Sequence, residues 1–312
     1  MNKAHYIHNT ILFVLLIRSS ISYGQSIGLN YIMSEVLIDS IGSKSVKTVQ
    51  YYDGFGRPDV LVTNGLSPSR KCVYSMKEYD NLGRECKSWL PCVGTLNPYD
   101  MDEYHYSSQS QNTYGGDQHA FSETTYDALG RPVFTTTPGE LWHQYGKGVA
   151  TEYRTNQPTD HVKKYVMISV ANGTFSEQGY YAPATLTCVK TTDEDGHAIE
   201  IYKDFMDNVI LERRNGGNDT YYVYDKGLLC VVIPPLYQES NNKSELLYKY
   251  KYDGHGRCIE KTLPGCTPIK YEYDKCGRLA FMRDGCMPAN TYRFYLYDEL
   301  SRLAACGLSL IH

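Results

Sequence analysis

Six aspartates recur in one setting, each four residues ahead of an arginine. They lie in Tyr52-Asp53-Gly54-Phe55-Gly56-Arg57, Tyr79-Asp80-Asn81-Leu82-Gly83-Arg84 and Tyr126-Asp127-Ala128-Leu129-Gly130-Arg131. They return in Tyr252-Asp253-Gly254-His255-Gly256-Arg257, Tyr273-Asp274-Lys275-Cys276-Gly277-Arg278 and Tyr297-Asp298-Glu299-Leu300-Ser301-Arg302, the last with Ser for Gly. Carboxylates at fixed positions could serve as catalytic acids or bases. An active site is seldom copied six times, so these carboxylates read as turn caps. Asp-x-x-Gly fits a type I turn, and the Asp side chain can accept the backbone N–H two residues on. Glycine permits the left-handed exit.

The other chemical candidates are weaker. Asp193-Glu194-Asp195-Gly196 lacks the further oxygen ligands of a calcium loop and reads as an Asp-Gly turn between strands. The Gly-x-Gly pairs at 54/56 and 254/256 lack the third glycine of a dinucleotide site. Gly139 to Gly146-Lys147 is misspaced for a phosphate loop. His105, His119, His143 and His161 follow no metal-ligand spacing and read as loop or solvated histidines. No catalytic residue, cofactor or metal is expected, and the chain reads as a non-enzyme.

The elements that must position the motifs are strands. Tyr ends one strand and Arg opens the next, so the two are predicted to face each other across a hairpin, with Arg stacking on Tyr or bonding the turn Asp. Tyr248-Lys249-Tyr250-Lys251-Tyr252, Tyr271-Glu272-Tyr273 and Tyr295-Leu296-Tyr297 keep a period of two, placing Tyr rings on one sheet face. Such a ladder, with its hydroxyls wet, suits a hydrated wall better than a dry core. Two worn copies, Tyr202 to Asn208 and Tyr224-Asp225-Lys226-Gly227, fill a repeat spaced mostly 21–28 residues apart. Tyrosine is accordingly the commonest residue, 30 of 312.

A formal charge of −4 argues against a nucleic-acid binder. Lys3, the apolar run Ile11–Ile17 and the small residues of Ser22-Tyr23-Gly24 have the order of a secretory signal cut before Gln25. No stretch reaches membrane-spanning length. The chain is therefore expected in the periplasm, at the cell surface or in the medium. Ten cysteines without a C-x-x-C pair are expected as free thiols, with Cys86 and Cys92 the first pair to test for a disulfide.

These motifs resemble the YD repeats of Rhs proteins, ABC-toxin C components and teneurins. The likeness rests on Tyr52, Asp53, Gly56, Arg57, Tyr79, Asp80, Gly83, Arg84, Tyr126, Asp127, Gly130 and Arg131 in the first half. In the second it rests on Tyr252, Asp253, Gly256, Arg257, Tyr273, Asp274, Gly277, Arg278, Tyr297, Asp298 and Arg302. The segment 35–60 is similar to the domain that precedes the repeats in secreted bacterial versions. The resemblance implies an all-β fold of antiparallel hairpins in a curved or spiralling sheet, part of a shell around a toxin or an adhesive surface. It divides the chain into a signal (1–24), an N-terminal β domain with three motifs (25–170) and a YD-repeat region open at its C-terminus (171–312). No autoproteolytic core or toxin segment matches, so the chain reads as the N-terminal part of such a protein. Its expected partners are downstream repeats or a separately encoded toxin, with a glycan ligand as the rival expectation.

Overall fold

A computed structural model describes residues 30–38, 45–69, 71–94, 103–240, 242–288 and 290–310, with the side chains of 103–105 left out. The expected secretory signal, residues 1–24, lies outside the described residues. The fold is all-β and antiparallel, and it divides into two compact units, Met1–Ala150 and Thr151–His312. The boundary expected at 170 falls inside a hairpin of the second unit.

In the first unit Asn30–Leu37, Ser45–Tyr52, Pro58–Asn64 and Cys72–Tyr79 pair in sequence order. The returning chain is split. Glu85–Trp89 pairs with the end of Cys72–Tyr79 and Cys92–Gly94 with its beginning. Pro91 lies in the gap, where it need not donate to the ladder. Phe121–Tyr126 and Pro132–Thr136 extend the sheet from Glu85–Trp89.

Alternation in these strands sends Val49, Tyr51, Val60, Val62, Cys72, Tyr74 and Met76 to one buried face with Trp89 and Phe121. The helix Glu103–Thr113 covers this face, although no sequence pattern pointed to one. It buries Tyr106 and Ser110, one turn apart. The Tyr106 hydroxyl lies 3.2 Å from the carbonyls of both Tyr74 and Leu90.

In the second unit eleven strands from Thr187–Thr192 to Leu303–Leu310 follow one another as antiparallel neighbours. A separate hairpin, Lys163–Ser169 with Thr174–Tyr180, lays Tyr165, Met167 and Phe175 over a core of Leu186, Cys188, Tyr202, Leu211, Tyr221, Val223 and Val231. Five tyrosines, 51, 74, 106, 202 and 221, are fully buried. The expectation that tyrosine would favour only a wet wall is thus corrected, because each unit supplies a second layer that closes over part of its sheet. From Tyr248 to Leu310 the described residues contain no buried apolar side chain. There Tyr248, Tyr250, Tyr252, Tyr271, Tyr273, Tyr295 and Tyr297 are half-buried, Tyr252 against the margin of that core.

Candidate functional site

The turn motif has one geometry. Asp53 N–H donates to the Arg57 carbonyl at 3.0 Å and Gly56 N–H to the Asp53 carbonyl at 3.0 Å. Asp53 Oδ1 accepts the N–H groups of Phe55 and Arg57, both at 2.9 Å, while Oδ2 accepts Arg57 Nε at 2.6 Å. Asp80, Asp127, Asp253, Asp274 and Asp298 repeat every one of these contacts. Gly83 has φ 80°, and Ser301 takes the same left-handed position at φ 59°.

The loop is three residues closed by a left-handed bulge. That bulge shifts the register by one, which corrects the expected Tyr–Arg cross-strand pair. Asp faces Arg, and Tyr52 faces Pro58, Tyr79 faces Glu85 and Tyr252 faces Cys258.

Two further segments build the same turn. Asp193 caps Asp195 and His197 with Gly196 at φ 87°, so the acidic stretch is a turn with His in the place of Arg. Asp204 caps Met206 and Asn208 with Asp207 at φ 64°. The Asp of this worn copy is displaced by one residue relative to Tyr202, as expected, and still caps the turn. Tyr224-Asp225-Lys226-Gly227 differs: Lys226 and Gly227 both have positive φ, forming a two-residue hairpin.

Arg stacks on tyrosine, but on that of the following hairpin. The guanidinium carbons of Arg57 and Arg84 lie 4.4 and 4.7 Å from the ring centroids of Tyr79 and Tyr126. Arg257 and Arg278 stand 4.9 Å over Tyr273 and Tyr297. The tyrosine hydroxyl reaches back. Tyr79 donates to the Pro58 carbonyl at 2.6 Å, Tyr126 to Glu85 at 2.6 Å, Tyr252 to Leu229 at 2.7 Å and Tyr273 to Cys258 at 2.8 Å. Arg84 Nη1 also donates to the Asp127 carbonyl of the next turn at 3.1 Å. These hydroxyls are bonded to backbone rather than wet, since a phenol spans one strand spacing. Partial burial pushes Tyr252 up to about 12.

Sequence placed all 23 motif residues at hairpin ends but could not show this relay, whose partners lie 15–43 residues apart. Residue Asp+2 points outward, leaving Phe55, Leu82, Leu129 and Leu300 exposed at the tips.

Backbone N–H donors, first that of the residue four on, hold Asp53, Asp80, Asp127, Asp193, Asp253, Asp274 and Asp298 below the usual carboxylate value, Asp253 at about 2. A folded value below the unfolded one gives stability that is present above about pH 4 and lost as pH falls through the folded value. Urea midpoints measured from pH 6 downwards are therefore expected to hold to about pH 4 and then fall steeply towards pH 2. A midpoint unchanged down to pH 2 would contradict the caps.

The turn glycines separate in the same assay. A Cβ on Gly83 would lie 2.8 Å from Arg57 Nη1, at a backbone angle open mainly to glycine, whereas Gly54 has open space and ordinary φ. Gly83→Ala is expected to cost about 1–2 kcal/mol. Gly54→Ala is expected to stay within about 0.5 kcal/mol of the parent.

Sequence reasoning also missed a polar network in the second unit. Arg154 forks onto Asp160 at 2.6 and 3.2 Å and reaches Glu200 and the Tyr202 hydroxyl. Arg213 forks onto Asp219 at 2.7 and 2.8 Å and donates to the Asp160 carbonyl at 2.9 Å. No local motif announces it, because its members come from separate strands and a loop. All ten cysteines are free thiols, Cys86 and Cys92 included, and burial pushes Cys92 up to about 11. No described helix is long and apolar enough to cross a membrane.

A family described as a domain of unknown function, DUF6443, matches residues 29–155. No curated protein matches the chain in sequence. Its fold is similar to that in the crystal structures of TcdB2-TccC3-Cdc42 and TcdB2-TccC3, each at 15% identity and a TM-score of 0.50 over 89% of this chain. A structure of TcdB2-TccC3 without its hypervariable C-terminal region matches at 16% identity, with the same score and coverage. The chain spans 13%, 14% and 13% of the length of these three.

Proposed function

We propose that the chain is an exported, non-enzymatic structural repeat protein: part of a shell of the Rhs or YD-repeat type that encloses or presents a partner, such as a toxin moiety. The observation that carries this reading is the sheet from Tyr248 to Leu310, where only Tyr252 at its start packs against the core among the described residues. It holds three complete motifs and no buried apolar side chain among its described residues. A sheet face without a core needs a covering layer to be stable on its own.

Arg302 supports the same reading. It is bonded to Asp298 at 2.8 Å like its counterparts, but its side chain is 73% exposed, against 29% for Arg278. The reading expects a partner's aromatic ring over it, as Tyr297 stands over Arg278. The fold neighbours are complexes of TcdB2 with TccC3, one of them with Cdc42, which is consistent with a partner-enclosing role.

The polar clusters favour structure over catalysis, since their carboxylates and guanidinium groups are engaged with one another. Arginine occupies one face of Tyr79, Tyr126, Tyr273 and Tyr297, which leaves less of each ring for a sugar.

The test is co-expression with the polypeptide encoded next to it, followed by proteinase K digestion. The reading expects a stable complex, protection of the partner only when this chain is present, and loss of the complex with Arg302→Ala. Equal digestion with and without the chain would overturn it. Glycan-array binding by the chain alone, at levels above a tyrosine-poor control, would favour the adhesive reading instead. Export expects mature protein beginning at Gln25 in the extracytoplasmic fraction, read by N-terminal sequencing.

A further inference from the structure

In the first unit, two histidines 24 positions apart in sequence come together. His119 precedes the strand Phe121–Tyr126, and His143 lies in the short helix Glu140–Gln144. Their rings stack at 4.4 Å with a 29° tilt. His143 is fixed by a 3.3 Å contact from Nε2 to the Phe121 carbonyl, with Glu123 at 3.8 Å from its Nδ1. On the open side, His119 Nδ1 lies 2.6 Å from Glu140 Oε2. Asp117 joins them, so that ligand atoms of Asp117, His119 and Glu140 all fall within 4.8 Å of one another.

We propose that Asp117, His119 and Glu140 form a binding site for one divalent cation of the zinc class. Imidazole with carboxylates suits first-row ions such as Zn²⁺, while all-oxygen sets suit Ca²⁺ and Mg²⁺. Tetrahedral zinc with bonds of about 2.0–2.2 Å would set the His119 nitrogen and the Glu140 oxygen about 3.3 Å apart. Loading the ion moves the half-exposed Glu140 carboxylate outward from 2.6 Å and draws in the Asp117 oxygen, which lies within 4.8 Å of both other ligand atoms.

The remaining geometry is held without the ion. Asp117 Oδ1 accepts the His119 N–H at 2.7 Å, and Oδ2 accepts the Glu140 N–H at 3.0 Å. The Gly139 N–H donates to the His119 carbonyl at 2.8 Å. Gly139 has φ 129°, a conformation that favours glycine, and it turns Glu140 back over His119. Hydrogen-bonded carboxylates and a ring fixed by its neighbour are what orient metal ligands elsewhere. Three protein ligands leave a fourth position for water or a partner's side chain.

The test is isothermal titration of the full chain with Zn²⁺, after alkylation of its exposed thiols, which would otherwise compete. One Zn²⁺ per chain is expected. His119→Ala and Glu140→Gln are each expected to weaken it at least about tenfold. His161→Ala is expected to bind like the parent. Melting in EDTA is expected to be unchanged in Glu140→Gln, which keeps its backbone bond to Asp117. No binding by the parent chain, or full affinity in both His119→Ala and Glu140→Gln, overturns the proposal.

Discussion

Arg213→Met is expected to destabilise the second unit by about 3 kcal/mol. Arg213 and Asp219 face each other across adjacent strands, joined by two bonds of 2.7 and 2.8 Å, with both side chains 16% exposed. Removing the cation leaves the carboxylate largely desolvated, with the Tyr221 hydroxyl, at 3.1 Å, as its remaining side-chain partner among the described residues. It also removes the donor to the Asp160 carbonyl, and so loosens the loop that carries the Arg154 pair. Breaking a buried pair costs about 3–5 kcal/mol, and the residual exposure places this one at the lower end. The double variant Arg213→Met with Asp219→Leu is expected to recover most of the loss, because apolar isosteres leave no unpaired charge. Both tryptophans, Trp89 and Trp142, lie in the first unit, so their fluorescence reports the wrong region. Amide exchange of strands 209–225 under native conditions is the suitable measurement. A single variant with unchanged protection would show that the pair contributes little.

The second large effect is expected in the first unit. Trp89→Ala is expected to cost about 3–5 kcal/mol. The indole is 7% exposed and lies 4.8 Å from Phe121 and 6.4 Å from Tyr106, with its Nε1–H donating to Glu78 at 2.6 Å. Truncation opens a cavity between sheet and helix and removes the donor from Glu78. Because Tyr106 anchors the helix on this ring, exchange within Glu103–Thr113 is expected to accelerate more than in Ser45–Tyr52. Trp89→Phe, which keeps an aromatic ring, is expected to lose clearly less. Equal urea midpoints for Trp89→Ala and the parent would refute this packing role.

The hairpins were legible because their information is local. Asp, Gly and Arg at fixed offsets specify a turn, and alternation specifies which residues share a face. The relay was not legible, since Arg57 meets Tyr79 and Tyr126 meets Glu85 only after strands pair in one register. The covering helix Glu103–Thr113 was missed because it presents mainly polar residues and two small contact points, Tyr106 and Ser110. The turns at Asp193 and Asp204 were half-read, since the carboxylate alone makes the cap whichever residue follows in the place of Arg.

By itself, then, the sequence determined an antiparallel β protein built from one repeated turn, because a turn is closed by atoms within five residues. Tertiary structure decided which tyrosines are buried and which span hairpins, which charges pair, and that His119 meets Glu140. Those contacts join residues tens of positions apart, and only the stacking of strands and of the layers over them brings such groups within bonding distance.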